Sequence, residues 1–261
     1  MVKKIESKLR SNIWSLIILT ISGSLIYALP YFRNYYYDAY VETYNLTNTQ
    51  MGTLGSMFGV FGMISYLFGG IVADFISPKK LISVSLVLTG LAGFSHLFVS
   101  NYSMLLIIYL VWGFTSLFAF WPSLVKGIRS IAGSDEQSKA YGFMEGGRGI
   151  MNAVHLAVAL AMFNYISSKA NDAAGIKGVI TFYSIVMVVL GVLVFILLKD
   201  PGKTDKSERF NFKQLLTVIK MPQVWILSLI LCATYTMNIS YMYFSPFATS
   251  AFGIATAGGA L

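Results

Sequence analysis

Tyr141, Glu145, Arg148, Asn152 and His155 follow one another at spacings of 4, 3, 4 and 3, which puts five polar side chains on one face of a helix. The rest of that segment is apolar enough to span a membrane, so this polar face lies within hydrocarbon. An ionisable group there costs at least ~2.5–3.5 kcal/mol on insertion scales, which calls for a partner, a wet cavity or a ligand. Arg148 lies eight residues past Ala140, roughly 12 Å along a helix and so near the middle of a ~30 Å core. A guanidinium at that depth stays charged and can grip a carboxylate, phosphate or sulfonate through two hydrogen bonds. The competing chemistry is local, with Glu145 and Arg148 neutralising one another at i and i+3. The two combine if Glu145 takes up a proton and releases Arg148 for a solute, which makes Glu145 a candidate proton acceptor. His155, two turns further, is either a proton-coupling group or a packing histidine. Beside this face, Gly142, Gly146, Gly149, Ala153 and Ala157 form a small-residue stripe against which a second helix can pack.

The chain around this face is 56% hydrophobic and 11% charged over 261 residues, with a mean hydropathy of +0.67, too apolar for a soluble domain. The expected fold is an all-α membrane protein with spans near 12–32, 50–73, 81–100, 103–125, 140–166, 178–198 and 223–246. A net charge of +8 does not signal nucleic acid, because the basic residues flank apolar runs instead of forming one patch. Lys3, Lys4, Lys8 and Arg10, then Lys79 and Lys80, then Lys126, Arg129 and Lys139, and the basic residues from Lys199 to Lys220 fall on one side. Arg33, Lys169 and Lys177 fall on the other. That bias places the N-terminus in the cytoplasm, in a bacterial-type inner or plasma membrane, and argues against a heptahelical receptor. Span one has no small-residue cleavage site and reads as an anchor. The single cysteine, Cys232, can form no intrachain disulfide and reads as a packing residue.

Residues 1–198 read as a six-helix half, 199–222 as a charged cytoplasmic linker bearing Pro201, Gly202 and Pro222, and 223–261 as the incomplete start of a second half. The last residues look like the opening of an eighth apolar helix, so the chain reads as a fragment that needs the remainder of its C-terminal half. Thr20, Ser24, Tyr27 and Tyr31 give span one a hydrogen-bonding face, and Thr234, Asn238, Tyr241 and Ser245 do the same for span seven. Tyr31 and especially Tyr35, Tyr36 and Tyr37 can instead form an interfacial belt. Arg33 stands at the outer mouth, where it either draws anions inward or anchors the helix. His96 lies near the outer end of span three without an evident partner. Asn45-Leu-Thr47 and Asn101-Tyr-Ser103 match the glycosylation pattern, which membrane proximity disfavours.

Gly52, Gly55, Gly59 and Gly62 give span two a glycine face, suited to close packing or to a sliding contact. Directly after it come Gly70, Asp74, Lys79 and Lys80, an acid at a helix end beside two lysines, able to form a breakable charge cluster. Here the chain resembles the major facilitator superfamily, whose loop between spans two and three runs glycine, three residues, aspartate and then basic residues. Phe75 stands where a basic residue is usual and Pro78 near the usual glycine. The segments from Asn45 to Gly52 and from Phe120 to Ser123 are also similar to that family, and Tyr141 to Arg148 is similar to members that carry organic anions. The resemblance implies two six-helix halves around a central cavity, each built of inverted three-helix repeats. It also implies that spans one, four and seven, with part of five, line the pathway.

The expected function is a secondary transporter moving a small organic anion by alternating access, driven by a proton or solute gradient. The expected binding residues are Arg148, Glu145, Asn152, Tyr141, Tyr27, Tyr31 and Asn238, with Glu145 and His155 for the proton and Gly70, Asp74, Lys79 and Lys80 as the switch loop. A carrier of a neutral solute such as a sugar, and a non-transporting sensor on the same fold, are the rival readings. No nucleophile constellation, metal-ligand cluster or phosphate-cradling loop is present in the sequence, so neither an enzyme nor a cofactor is expected.

Overall fold

The computed structural model describes residues 7–99, 101–118, 120–199 and 212–240, together with 243, 244, 247, 251 and 252. These residues form helices and no strand. A short α1 (Lys8–Ser11) is capped by the Ser7 side chain and leads into α2 (Ile13–Leu25), α3 (Ala28–Tyr35) and α4 (Tyr37–Tyr44). Long helices follow: α5 (Asn48–Phe75), α6 (Pro78–His96), α7 (Tyr102–Leu117), α8 (Phe120–Ile131), α9 (Gln137–Lys169) and α10 (Asp172–Leu197). After residues outside the description come α11 (Phe212–Ile219) and α12 (Pro222–Ser240). Most of the predicted linker thus lies outside the described residues, and its last part is helical.

By length and apolarity three stretches can cross a membrane: α7 running into α8 over Tyr102–Ile131, α9 and α10. Two bent helix pairs raise the number to five if each is one span. The other two expected spans correspond to α6, which opens on Pro78-Lys79-Lys80, and to α12, a shorter apolar helix.

The span expected near 12–32 is broken, with α2 and α3 meeting at 46°. Pro30 is the cause: it has no N–H for the carbonyl of Ile26, and its ring crowds that carbonyl. The α5 axis bends by 49° between Tyr66 and Phe68. There the Ser65 hydroxyl donates back to the Phe61 carbonyl at 2.6 Å, a local competition that bends helices, and Gly69 and Gly70 follow. Thr47 and Gln50 form a capping box that starts α5, so the Asn45–Gly52 segment has a local physical purpose. Asn101 caps α7 by accepting from the Met104 N–H.

Glycines set the helix spacing. The Ser83 hydroxyl of α6 reaches the Gly191 carbonyl of α10 at 2.6 Å, an approach that a side chain at 191 would obstruct. On α7, a Cβ at Gly113 would sit 2.5 Å from the Phe58 carbonyl oxygen of α5. The Trp112 indole holds α7 to the Thr89 carbonyl at 3.1 Å, so α7 cannot simply retreat. Gly113→Ala is expected to cost ~1–3 kcal/mol through overpacking and to lower the midpoint of thermal unfolding. Gly52→Ala, with nothing within 4 Å of the added carbon, is expected to leave the midpoint level or raise it slightly, since alanine favours helix.

The stripe of Gly142, Gly146 and Gly149 meets no neighbour among the described residues. Close packing between α2 and α9 instead uses Gly147, set beneath Thr20, and Gly23, set beneath Arg148. On α9 the glycine that a described neighbouring helix approaches closely is thus Gly147, which is not a member of that stripe.

Candidate functional site

The polar face of α9 divides between three neighbours. At its start, the Tyr141 hydroxyl donates to the Val125 carbonyl of α8 at 3.1 Å, and Tyr141 is not among the residues that line the cavity described below. Two turns on, the Arg148 Nη1 donates to both Glu145 carboxylate oxygens, at 3.0 and 2.8 Å. The Arg148 Nε donates to the Gly23 carbonyl of α2 at 3.1 Å, and its guanidinium lies 4.8 Å from the centre of the Trp121 ring. A Cβ at Gly23 would come within 2.9 Å of Leu124 and 3.2 Å of the Arg148 side chain, so the bare backbone is what lets Arg148 lie across α2. The Arg148 side chain is 18% exposed and that of Glu145 55%, leaving the carboxylate open to water while the cation is enclosed.

Further along, the Ser24 hydroxyl donates to the Asn152 Oδ1 at 2.6 Å, and the same oxygen lies 3.2 Å from the His155 Nε2. His155 Nδ1 is 2.9 Å from the Tyr183 hydroxyl of α10. With Oδ1 as acceptor, His155 carries its proton on Nε2 and receives the Tyr183 O–H at Nδ1. Both ring nitrogens are thus engaged, and His155 joins α9 to α10 as well as, through Asn152, to α2.

Arg148, Asn152 and His155 line a cavity of about 850 Å³. Tyr27 and Tyr31 line it from the broken first span, Tyr66 from the bend of α5, and Tyr235 from α12. Tyr27 and Tyr31 have ring centres 6.0 Å apart, and Tyr31 packs edge-on against Phe58 at 5.4 Å. Tyr31, like Tyr35, is therefore a cavity-lining residue. Tyr36 is buried against Phe163, while Tyr37 donates to Asn48 Oδ1 at 2.8 Å. Thr20 bonds its own helix at the Leu16 carbonyl and offers nothing to a ligand. Asn238 lies on α12 with its side chain outside the description, and Tyr241 and Ser245 are outside the described residues altogether.

Arg33 changes role most. Expected at the outer mouth, it is 5% exposed and lines the same cavity as Arg148. Its Nη1 donates to the Met51 carbonyl at 2.9 Å, and its guanidinium sits 5.5 Å from the Tyr109 ring centre. Gly55 makes the room, since a Cβ there would be 2.5 Å from Nη2. Nε of Arg33 has no hydrogen-bond partner. No Asp or Glu is among the described residues that line the cavity, and among the described residues Arg33 forms no salt bridge. Its reach was not readable from the sequence, because only the Pro30 bend and the gap at Gly55 carry it inward. Trp121 and Tyr66 were likewise missed as partners, although Trp121 stands in the Phe120–Ser123 segment.

The switch loop is assembled differently from expectation. Asp74 lies 3.8 Å from Lys126 of α8, and Lys126 Nζ also donates to the Ala73 carbonyl at 2.7 Å. Lys79 turns instead onto the Phe195 ring of α10, at 5.3 Å, and Lys80 is exposed. At the same end of the bundle, Glu136 accepts from the Ser7 hydroxyl and from the backbone N–H groups of Leu9 and Gly133, at 3.0 and 3.1 Å. The Ser7 hydrogen bond, then those from Gly133 and Leu9, hold the Glu136 carboxyl below its ordinary range. This tie between the chain start and the α8–α9 loop is present above the usual carboxylate range and is lost as pH falls through the lowered value. Among the described residues no three of His, Cys, Asp and Glu converge as a metal site would require.

Comparison with known proteins agrees with this architecture. The family described as Major Facilitator Superfamily matches residues 12–261. The inner membrane protein YihN of Escherichia coli (strain K12) is 29% identical over 90% of this chain and 56% of its own length. For the inner membrane protein YqcE of the same organism the values are 26%, 92% and 57%. The quinolone resistance protein NorA of Staphylococcus aureus is 24% identical over 77% of the chain and 49% of its own length. The chain thus spans about half the length of the curated relatives it matches. Among solved structures, a bacterial homologue of the human lysosomal transporter Spinster, inward-facing and unoccupied, superimposes with a TM-score of 0.74 at 17% identity, over 97% of this chain and 58% of that one.

Proposed function

The chain belongs to the Major Facilitator Superfamily, a family of membrane transporters and not of enzymes, and on that premise we propose that it forms the binding half of a carrier for a small organic anion. The observation that carries this reading is the charge of the 850 Å³ cavity. Arg148 enters it already neutralised by Glu145, whereas Arg33 enters it buried and without a carboxylate partner among the described residues. A buried cation lacking a counter-ion is costly unless a ligand supplies one. An anion with a carboxylate, phosphate or sulfonate group fits that demand, and the tyrosine hydroxyls suit polar substituents on the same solute.

In this reading residues 1–198 form the first half, 199–222 the cytoplasmic linker and 223–261 the start of the second, with the N-terminus in the cytoplasm. The solute is held by Arg33 and Arg148 with Asn152, Tyr27 and Tyr31, and the halves rock about it. Glu145, exposed beside the enclosed Arg148, takes the coupling proton; His155, held at both nitrogens, is the weaker candidate. Asp74 and Lys126 form the breakable pair at the cytoplasmic seam.

Uptake into proteoliposomes by the full-length protein tests the proposal, with D-glucuronate, glycerol 3-phosphate and ethanesulfonate against neutral D-glucose. Saturable uptake of at least one anion, lowered about tenfold in affinity by Arg148→Lys because a point charge replaces a two-pronged fork, is the expected result. Preferential uptake of glucose would favour the neutral-solute carrier, and anion binding without uptake would favour a sensor.

A further inference from the structure

The Arg33 guanidinium has few restraints for a group asked to recognise an anion. One carbonyl, one ring face and the backbone gap at Gly55 hold it, and its Nε is left over. A long side chain so loosely tethered loses binding energy to its own rotamer freedom unless packing fixes it. The packing comes from a column of rings. Tyr109, on which the guanidinium rests, meets Trp112 at 5.0 Å and 78°. Trp112 in turn stacks on His96 at 5.5 Å and 17°, and the Trp112 indole is anchored to α6 through Thr89.

The column ends on His96, which is fully buried. Its Nε2 lies 2.8 Å from the Tyr40 hydroxyl and its Nδ1 3.2 Å from the Tyr44 hydroxyl, so the sequence expectation of a partnerless histidine is overturned. Tyr40 and Tyr44 sit one turn apart on α4, and a neutral imidazole offers them one donor and one acceptor at fixed angles. The same box reaches Arg33 by a second route. Phe32, its chain neighbour, packs edge-on against Tyr40 at 5.3 Å, His96 at 6.0 Å and Trp112 at 6.4 Å.

We propose that His96 is a positioning residue for the Arg33 anion subsite, pinning α4 to α6 and thereby fixing both the ring under the guanidinium and the chain path that carries it. The proposal rests on the anion-carrier reading for its purpose, but its geometry can be tested without any transported solute. In the full-length protein in lipid nanodiscs, phenylglyoxal modifies accessible arginines, and mass spectrometry follows Arg33 and Arg148 separately in one sample. His96→Leu, which removes both hydrogen bonds and the flat ring, is expected to raise the rate at Arg33 at least fivefold while Arg148 stays within twofold. His96→Gln, which keeps a donor and an acceptor, is expected to restore most of the difference, and Tyr44→Phe, which removes one hydroxyl, to give a smaller rise. In uptake assays the leucine variant is expected to raise KM for the anion with kcat retained. An Arg33 rate within twofold of the parent in both His96→Leu and Tyr44→Phe would overturn the proposal, as would equal changes at Arg33 and Arg148, which signify general loosening. If labelling behaves as expected but no anion is taken up, His96 positions Arg33 and the anion-carrier reading is what fails.

Discussion

Arg33→Gln in the full-length protein is expected to weaken binding of the transported anion by about ten- to hundredfold without lowering the thermal unfolding midpoint. A hydrogen bond to a charged group contributes ~1.5–3 kcal/mol, and each factor of ten corresponds to ~1.36 kcal/mol. The expectation on stability follows from the same geometry. Arg33 is buried beside a carbonyl and a ring, with Nε unpartnered, so removing its charge relieves desolvation instead of breaking an ion pair. A residue retained for folding would show the opposite pattern, with a lowered midpoint and unchanged affinity. Isothermal titration and a melting curve on the same preparation separate the two, and unchanged affinity would remove Arg33 from the site. Arg33→Lys should recover charge but not the planar fork, leaving affinity between the two.

The second large effect is expected at Glu145. Its carboxylate takes both hydrogen bonds from Arg148 Nη1, so Glu145→Gln, which resembles the protonated acid, removes the counter-charge while keeping the shape. Arg148 is then held only by the Gly23 carbonyl and the Trp121 ring and faces the cavity as an uncompensated cation. Anion affinity is expected to rise by up to about tenfold, the lower end of the worth of a charge-assisted contact. Accumulation driven by a pH gradient is expected to vanish, because no proton is needed to release Arg148. Counterflow exchange of preloaded anion should survive, since it requires only that the halves rock. If the variant still accumulates anion against a gradient when only a proton gradient is supplied, Glu145 is not the coupling group. A fall in affinity would mean that the pair serves packing, with the cation unable to turn toward solute.

Much of the membrane architecture was legible in the sequence, since span length depends on hydrocarbon thickness and helix periodicity, both local properties. The Tyr141–His155 face was legible for the same reason, as was the i,i+3 pairing of Glu145 with Arg148. What the sequence left open depended on neighbours: Tyr141 bonds to the Val125 carbonyl, Asp74 lies beside Lys126, and the glycines of the α2–α9 contact are Gly23 and Gly147.

Residue order by itself determined that this chain is a helical membrane protein with charged and hydroxylated side chains on faces of its apolar helices, because hydropathy and a 3.6-residue period act within one helix at a time. Tertiary structure alone decided which of those side chains share a cavity. Arg148 meets Gly23 across 125 residues of sequence and His96 meets Tyr40 across 56, contacts set by where helices bend and how closely they approach. The kink imposed by Pro30 and the bare backbone at Gly23 and Gly55 place two guanidinium groups in one cavity, and no spacing rule along the chain encodes that meeting.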